Sequence, residues 1–218
     1  MARADAPPLD YYRNQAGWTT ELRAYLYRQM AIGTCERILD VGCGDGHLTA
    51  ELAAKARDTA VGCDVDQHGL DAARKAYPTL EFVRNDPDRL PFFDGLFDAT
   101  VCHFTLLWAA DPVALVREMR RVTRPGGMIA AMAEPDWGGY VQWPDLGLRE
   151  LIATALAARG ADPHAGRKLK AWFAAAELAP HVGVTGGPWR DDPTALDTAW
   201  VHHRWTLAGF VDDHRMRV

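Results

Sequence analysis

The run Ile38-Leu39-Asp40-Val41-Gly42-Cys43-Gly44-Asp45-Gly46 constrains this chain more than any other stretch. An apolar, β-branched segment ends in an acid, and glycines follow at every second position. His47-Leu48-Thr49-Ala50-Glu51-Leu52 then reads as the start of a helix. Strand, glycine turn, helix is the unit by which an α/β sheet brings its backbone up to a nucleotide-like ligand. Glycine suits the turn because it accepts positive φ and leaves no Cβ between chain and ligand. A G-x-G-x-x-G dinucleotide fingerprint from Gly42 would need glycine at position 47, where His47 stands. The spacing points away from NAD and toward another adenosine-bearing cofactor.

Around this loop the sequence alternates strand and helix. Residues 1–17 read as a mobile arm that becomes ordered around Tyr11-Tyr12-Arg13. A helix capped by Thr19 or Thr20 runs to about Met30, with Leu22, Tyr25, Leu26 and Met30 on one face. Strands are expected at 37–41, 59–64, 80–84, 97–103 and 128–133, with helices at 47–57, 67–76 and 112–122 between them. Asp66 is placed to cap the second of these helices, and Asp111-Pro112 opens the third with an acidic cap and proline in the first turn. Arg124-Pro125-Gly126-Gly127 reads as a turn. The last third differs: helices at about 146–159 and 166–178, a weak strand at 181–185 and a final helix from Asp192-Pro193 toward Phe210.

The fold class is therefore α/β, a Rossmann-like, doubly wound, mainly parallel sheet with helices on both faces. It carries an N-terminal helical arm (1–36), a ligand-binding core (37–134) and a C-terminal helical elaboration (135–218) of the same domain. A chain of 218 residues suffices for one such domain and is short for two. A net charge of −5 disfavours a nucleic-acid partner, and the basic pairs Arg120-Arg121 and Arg167-Lys168 are too short for a phosphate-binding stripe. Cys35, Cys43, Cys63 and Cys102 have no metal-site spacing, so no metal is expected, and reduced thiols suit a cytoplasmic protein. Met1 to Asp10 has no apolar signal core, and no apolar run is long enough for a bilayer, so no membrane partner is expected.

Strand two ends Val61-Gly62-Cys63-Asp64-Val65-Asp66. An acid about 20 residues after a glycine loop suits a pair of ribose hydroxyls, and Asp64, ending the apolar strand, is the candidate. Downstream come Asn85-Asp86-Pro87-Asp88-Arg89-Leu90-Pro91-Phe92, then Asp94-Gly95-Leu96-Phe97-Asp98, then Leu115-Val116-Arg117-Glu118-Met119-Arg120-Arg121-Val122-Thr123-Arg124-Pro125-Gly126-Gly127. With the glycine loop and the Asp64 segment, these resemble the class I S-adenosylmethionine-dependent methyltransferases over residues 38–134. The group most similar comprises small-molecule enzymes like the ubiquinone/menaquinone and biotin-pathway methyltransferases, the methyltransferase type 11 domain.

The resemblance implies S-adenosylmethionine as cofactor and assigns residues to it. Asp40, Gly42 and Gly44 would hold its methionyl end, with Cys43 in the same turn. Asp64 would take both ribose hydroxyls, Val65 would pack on adenine, and Asp86 would accept from the adenine amino group. His103 matches a position whose backbone faces the methionyl amine. At the residue after Asp86 the family uses a backbone N–H on adenine; Pro87 has none. The family sheet also ends in a hairpin of strands six and seven, and no convincing seventh strand is present. Either the edge is reduced, another chain covers it, as in a homodimer, or the sequence is truncated.

His103 and Glu134 stand at or just past strand ends and are the candidate catalytic groups, although structural use is the commoner fate of each. Tyr12, Trp18, Trp137 and Tyr140, with Trp143, are candidates to roof the substrate pocket. Eight tryptophans are many for this length and favour an aromatic or hydrophobic small-molecule substrate, the alternative use being packing of the added helices on the sheet. The rival expectations are a non-catalytic S-adenosylmethionine-binding regulator and a protein or RNA methyltransferase.

Overall fold

A computed structural model describes residues 9–140, 145 and 147–183. Five strands form one parallel sheet: β1 (Arg37–Val41), β2 (Thr59–Asp64), β3 (Glu81–Arg84), β4 (Phe97–His103) and β5 (Thr123–Met132). Their order is β3-β2-β1-β4-β5. The chain reverses its direction of winding between β1 and β4, and ligands of open α/β sheets sit at that point, beyond the strands' C-terminal ends.

Alternation along the strands splits the core into two layers. Leu39, Val41, Val61, Cys63 and Cys102 face one way and pack with Val116, Met119 and Val122 of α5 (Pro112–Val122) and Phe173 of α7 (Ala165–Ala175). Ile38, Ala60, Ala99 and Val101 face the other way, against Tyr27 and Met30 and against Leu48 and Leu52 of α3 (His47–Ala53). Burial on both sides is what a parallel sheet requires. α4 (Gln67–Ala76) lies over β2 and β3, its Leu70 and Ala73 packed with Phe82. Asp66 caps α4 through the N–H groups of His68 and Gly69, and Asp111 caps α5 through Ala114 N–H. Both caps had been legible as an acid ahead of a periodic apolar run.

The structure departs from the sequence expectation at several places. The N-terminal arm is helical: α1 spans Leu9–Trp18 and α2 spans Thr20–Gln29. The buried face of α2 is Arg23 and Tyr27, continuing to Met30, whereas Tyr25 is half exposed. Helix α3 stops at Ala53 because the chain turns back and Arg57 N–H bonds Cys35 O at 2.8 Å. β5 begins directly at the end of α5, and the expected turn at 124–127 is an excursion inside the strand. Phe97 pairs with Thr123 and Ala99 with Met128, so the register jumps there, with Gly126 at φ +78°.

Helix α6 (Leu148–Ala158) and α7 are present. Helix α7 ends early because Glu177 turns left-handed (φ +59°) while Leu178 N–H bonds Phe173 O. The strand expected at 181–185 is not formed over 181–183. Residues 184 and 185, the final helix, the seventh strand and Trp143 lie outside the described residues. No described helix is long and apolar enough to cross a membrane.

Candidate functional site

The glycine loop leaves β1 as a cradle of bare backbone. Gly42, Gly44 and Gly46 all have positive φ (+74°, +52° and +78°). A Cβ on Gly42 would stand 2.4 Å from Thr105 Oγ1, and one on Gly44 would stand 3.1 Å from the Tyr12 ring. Glycine is thus required twice over, by the dihedral and by the neighbours. Gly42 and Cys43 both donate their N–H to Cys63 O, at 2.8 and 3.1 Å, which ties the loop to the end of β2.

Asp64 completes that tie. Its Oδ2 accepts Gly44 N–H and its Oδ1 accepts Asp66 N–H, both at 2.9 Å. The carboxylate expected to grip ribose is therefore held against the glycine loop by backbone donors. Val65, next along, is 47% exposed at the same rim, an apolar side chain left facing outward. Asp86 is exposed and forms an isolated antiparallel bridge with Arg89, with Pro87 in the turn between them. Asp40 is buried and accepts the Thr49 hydroxyl at 2.7 Å. Burial pushes its carboxyl up to about 7, against the Thr49 hydrogen bond and reinforced by the neighbouring acids Asp64 and Asp45. Cys43 is buried too, which pushes its thiol well up and leaves it unreactive.

His103, at the end of β4, places Nε2 2.8 Å from Thr19 Oγ1 and meets Phe104 edge-on, with ring centroids 4.6 Å apart. Burial, helped by the Arg23 charge, pushes the imidazole down to about 3. Glu134, just past β5, is buried with both oxygens taken by backbone donors. Thr105 N–H and Leu106 N–H bond Oε1 at 2.8 and 2.9 Å, and Leu107 N–H bonds Oε2 at 3.0 Å. Burial pushes this carboxyl up to about 7 although those N–H groups favour the anion.

The four aromatic candidates divide into two groups. Tyr12 lies on the glycine loop, and Trp18 ends the same helix, half-buried. Trp137 and Tyr140 pair with centroids 5.3 Å apart, and Trp137 packs into the apolar cluster of α6 that includes Leu107, Ile152 and Leu156.

Three residues of the site escaped the sequence reading: Thr19, Arg23 and Thr105. Arg23 is buried, donates Nη1 to Thr19 Oγ1 at 2.6 Å, and binds Glu51 Oε2 through Nε and Nη2 at 3.2 and 2.8 Å. The signal was there in Arg23, Tyr27 and Met30 at helical spacing, a charged residue on what proves to be the inner face.

Comparison with known proteins bears on the same segment. A family model described as a methyltransferase domain matches residues 39–131. Over 107 residues the chain is 40% identical to the demethylmenaquinone methyltransferase of Beutenbergia cavernae, a match covering 48% of this chain and 44% of that protein. Over 195 residues it is 28% identical to an uncharacterized methyltransferase of Schizosaccharomyces pombe, C1B3.06c, covering 82% of this chain and 70% of that one. The chain thus spans less than half the length of the Beutenbergia relative. The solved structure of a SAM dependent methyltransferase from Aquifex aeolicus shares the fold, with a TM-score of 0.59 over 79% of this chain and 88% of that chain at 16% identity.

Sheet order, glycine cradle and these likenesses define a class I Rossmann-like methyltransferase fold. Residues 39–131, the stretch that holds the glycine cradle and Asp64, match the methyltransferase domain family.

Proposed function

We propose that the protein transfers the methyl group of S-adenosylmethionine to a small organic metabolite of aromatic or hydrophobic character. The observation carrying this is the cradle at the β1–β2 edge: positive-φ glycines at 42, 44 and 46, with Asp64 fastened to Gly44 N–H. Backbone without side chains suits the methionyl moiety, Asp64 suits the ribose hydroxyls and the outward Val65 suits the adenine face. The bound sulfonium supplies an activated methyl group; the chain has to hold it, orient the acceptor in line and exclude water. Tyr12, lying on Gly44, serves the cofactor side by covering the loop, while Trp137 and Tyr140 stand on the acceptor side.

Neither expected base is placed to take a proton from the acceptor. An imidazole with a pKa of about 3 is too weak a base at neutral pH, and both oxygens of Glu134 are committed to backbone donors. The acceptor atom is accordingly one that is nucleophilic without a strong base from these residues. A demethylmenaquinone methyltransferase among the relatives supports a small-molecule acceptor.

Calorimetry with S-adenosylmethionine and S-adenosylhomocysteine tests the reading. The wild type should bind both, and Asp64→Ala should weaken binding by about tenfold or more, as expected on losing a charged acceptor worth about 1.5–3 kcal/mol. Methyl transfer from labelled cofactor onto a metabolite extract, and not onto protein or RNA, supports the small-molecule acceptor. A wild type that binds neither compound at millimolar concentration refutes it. Binding without transfer would favour a regulatory protein, the alternative to which Pro87, lacking the adenine-directed N–H, gives weight.

A further inference from the structure

Glu134 turns both oxygens to backbone, as Asp64 does, but its three donors are consecutive and come from another strand's end: Thr105, Leu106 and Leu107. They belong to the segment that follows β4, 27 to 29 residues away in sequence. That segment makes a sharp turn at Phe104, which holds φ +51°, a conformation costly for a bulky residue. Ala133, directly before Glu134, is left-handed as well (φ +60°). Two strained residues therefore flank the bonds that Glu134 makes, and those bonds hold the turn in place.

From this clamp two further connections lead outward. Toward the cofactor, Thr105 Oγ1 lies 3.1 Å from both Val41 O and His103 O, and its side chain fills the space a Gly42 Cβ would need. Toward the acceptor, Leu107 O accepts Asp162 N–H at 2.7 Å, and Pro135 O accepts Gly166 N–H at 2.8 Å at the start of α7. The close approach there leaves 2.6 Å between a Cβ built on Gly166 and Glu134 O. Thr105 thus joins the post-β4 turn to the glycine loop, the Glu134 carboxylate holds that turn, and the backbone of residues 134–135 meets the start of α7.

We propose that Glu134 is a positioning residue that, acting through Thr105, locks the acceptor-side turn at 104–107 to the Gly42–Gly46 cofactor loop so that the two sides of the transfer site keep a fixed spacing. The proposal rests on the cofactor reading above. In-line transfer tolerates little slack, since a displacement of about 1 Å at the reacting atoms can cost on the order of a hundredfold in rate. A carboxylate is suited to the task because one group can accept from three donors at once.

The test uses the full chain, S-adenosylhomocysteine as probe, calorimetry and amide hydrogen exchange. In the wild type the probe should slow exchange at both 42–46 and 105–107, the mark of two segments opening as one unit. In Glu134→Ala it should slow exchange at 42–46 alone, with affinity lowered about tenfold. Glu134→Gln keeps an amide oxygen for Thr105 and Leu106 and should restore coupled protection, with affinity within about threefold of wild type. Should Glu134→Ala fail to fold, Thr105→Ala leaves the three carboxylate bonds intact and should still uncouple the segments. Coupled protection persisting in Glu134→Ala or Thr105→Ala overturns the proposal, as does a Gln variant that remains uncoupled. A wild type that does not bind the probe refutes the cofactor reading instead, which is a different result from binding without coupling.

Discussion

Thr19 Oγ1 and His103 Nε2 stand 2.8 Å apart although 84 residues separate them in sequence. The contact joins the junction of α1 and α2 to the C-terminal end of β4, the strand beside the glycine loop. Arg23 braces it, donating to the Thr19 hydroxyl, to Ala16 O and to Glu51. The N-terminal helices are thereby seated over the cofactor edge of the sheet by a polar chain. The Thr19 oxygen is shared between a buried guanidinium and a neutral imidazole.

His103 should stay neutral throughout the physiological range. Its folded-state pKa of about 3 lies below the ordinary histidine value, so between the two values the unfolded chain binds the proton and the folded chain does not. The stability this contributes is present above the unfolded value and is lost as pH falls toward 3. NMR titration of the His103 ring should show no midpoint between pH 5 and 8, and a midpoint near 6.5 would contradict the buried pairing.

Removing the guanidinium that braces Thr19 should be costly. Arg23→Ala leaves Glu51 without its partner on the inner face of α2, and breaking a buried pair typically costs about 3–5 kcal/mol. Glu51 is partly exposed, which places the expected loss near about 3 kcal/mol. Denaturant unfolding measures it, and Glu51→Gln should cost less because one hydrogen-bond acceptor remains.

Gly42→Ala should damage binding and folding together. The left-handed dihedral costs an alanine about 1–2 kcal/mol, and the methyl group also meets the Thr105 side chain. Loss of S-adenosylhomocysteine binding with a lower Tm is expected. Pairing the change with Thr105→Ser, which removes the methyl but keeps the hydroxyl, should recover only part of the loss.

Asp98 makes the opposite end of the sheet acid-sensitive. Its Oδ2 accepts the N–H groups of Glu36 and Arg37 at 2.7 and 2.8 Å, and its Oδ1 accepts Arg124 Nε at 2.6 Å. Partial burial pushes the carboxyl up, but the Arg37 N–H, the Arg124 guanidinium and the Glu36 N–H together outweigh it and hold it below the usual range. A carboxyl depressed in the folded state contributes stability above the unfolded value that is lost as pH falls through the folded one. Asp98→Asn should therefore lie furthest below wild type in unfolding free energy at neutral pH, by about 1–2 kcal/mol, and converge on it below about pH 4.

What could be read in advance is what local chemistry determines. Strands carrying Asp40 and Asp64 at or next to their ends, helices opened by Asp66 and Asp111, and a loop of alternating glycines announce themselves over a few residues. For Arg23 the helical spacing with Tyr27 was local, but its partner Glu51 lies 28 positions away, so the inward placement of a charge could not be read from the helix alone. α1 escaped because its polar sequence carries a weak apolar stripe, and its tertiary seat is made by Tyr12 on Gly44 and by Arg23 on Ala16 O. Glu134 looked like a free acid at a strand end; its three donors come from a distant segment, so its commitment was invisible along the chain.

Helix α5 passes into β5 without a connecting residue, and the excursion at 124–127 follows at once. Sequence length at this end of the sheet is consequently decoupled from geometry at the other. Residues 124–127 lie outside the paired register, while the ladder from Ala99↔Met128 to His103↔Met132 runs without interruption. The strand that leads to Glu134 thus takes its phase from β4 beyond the excursion, and not from residues 124–127.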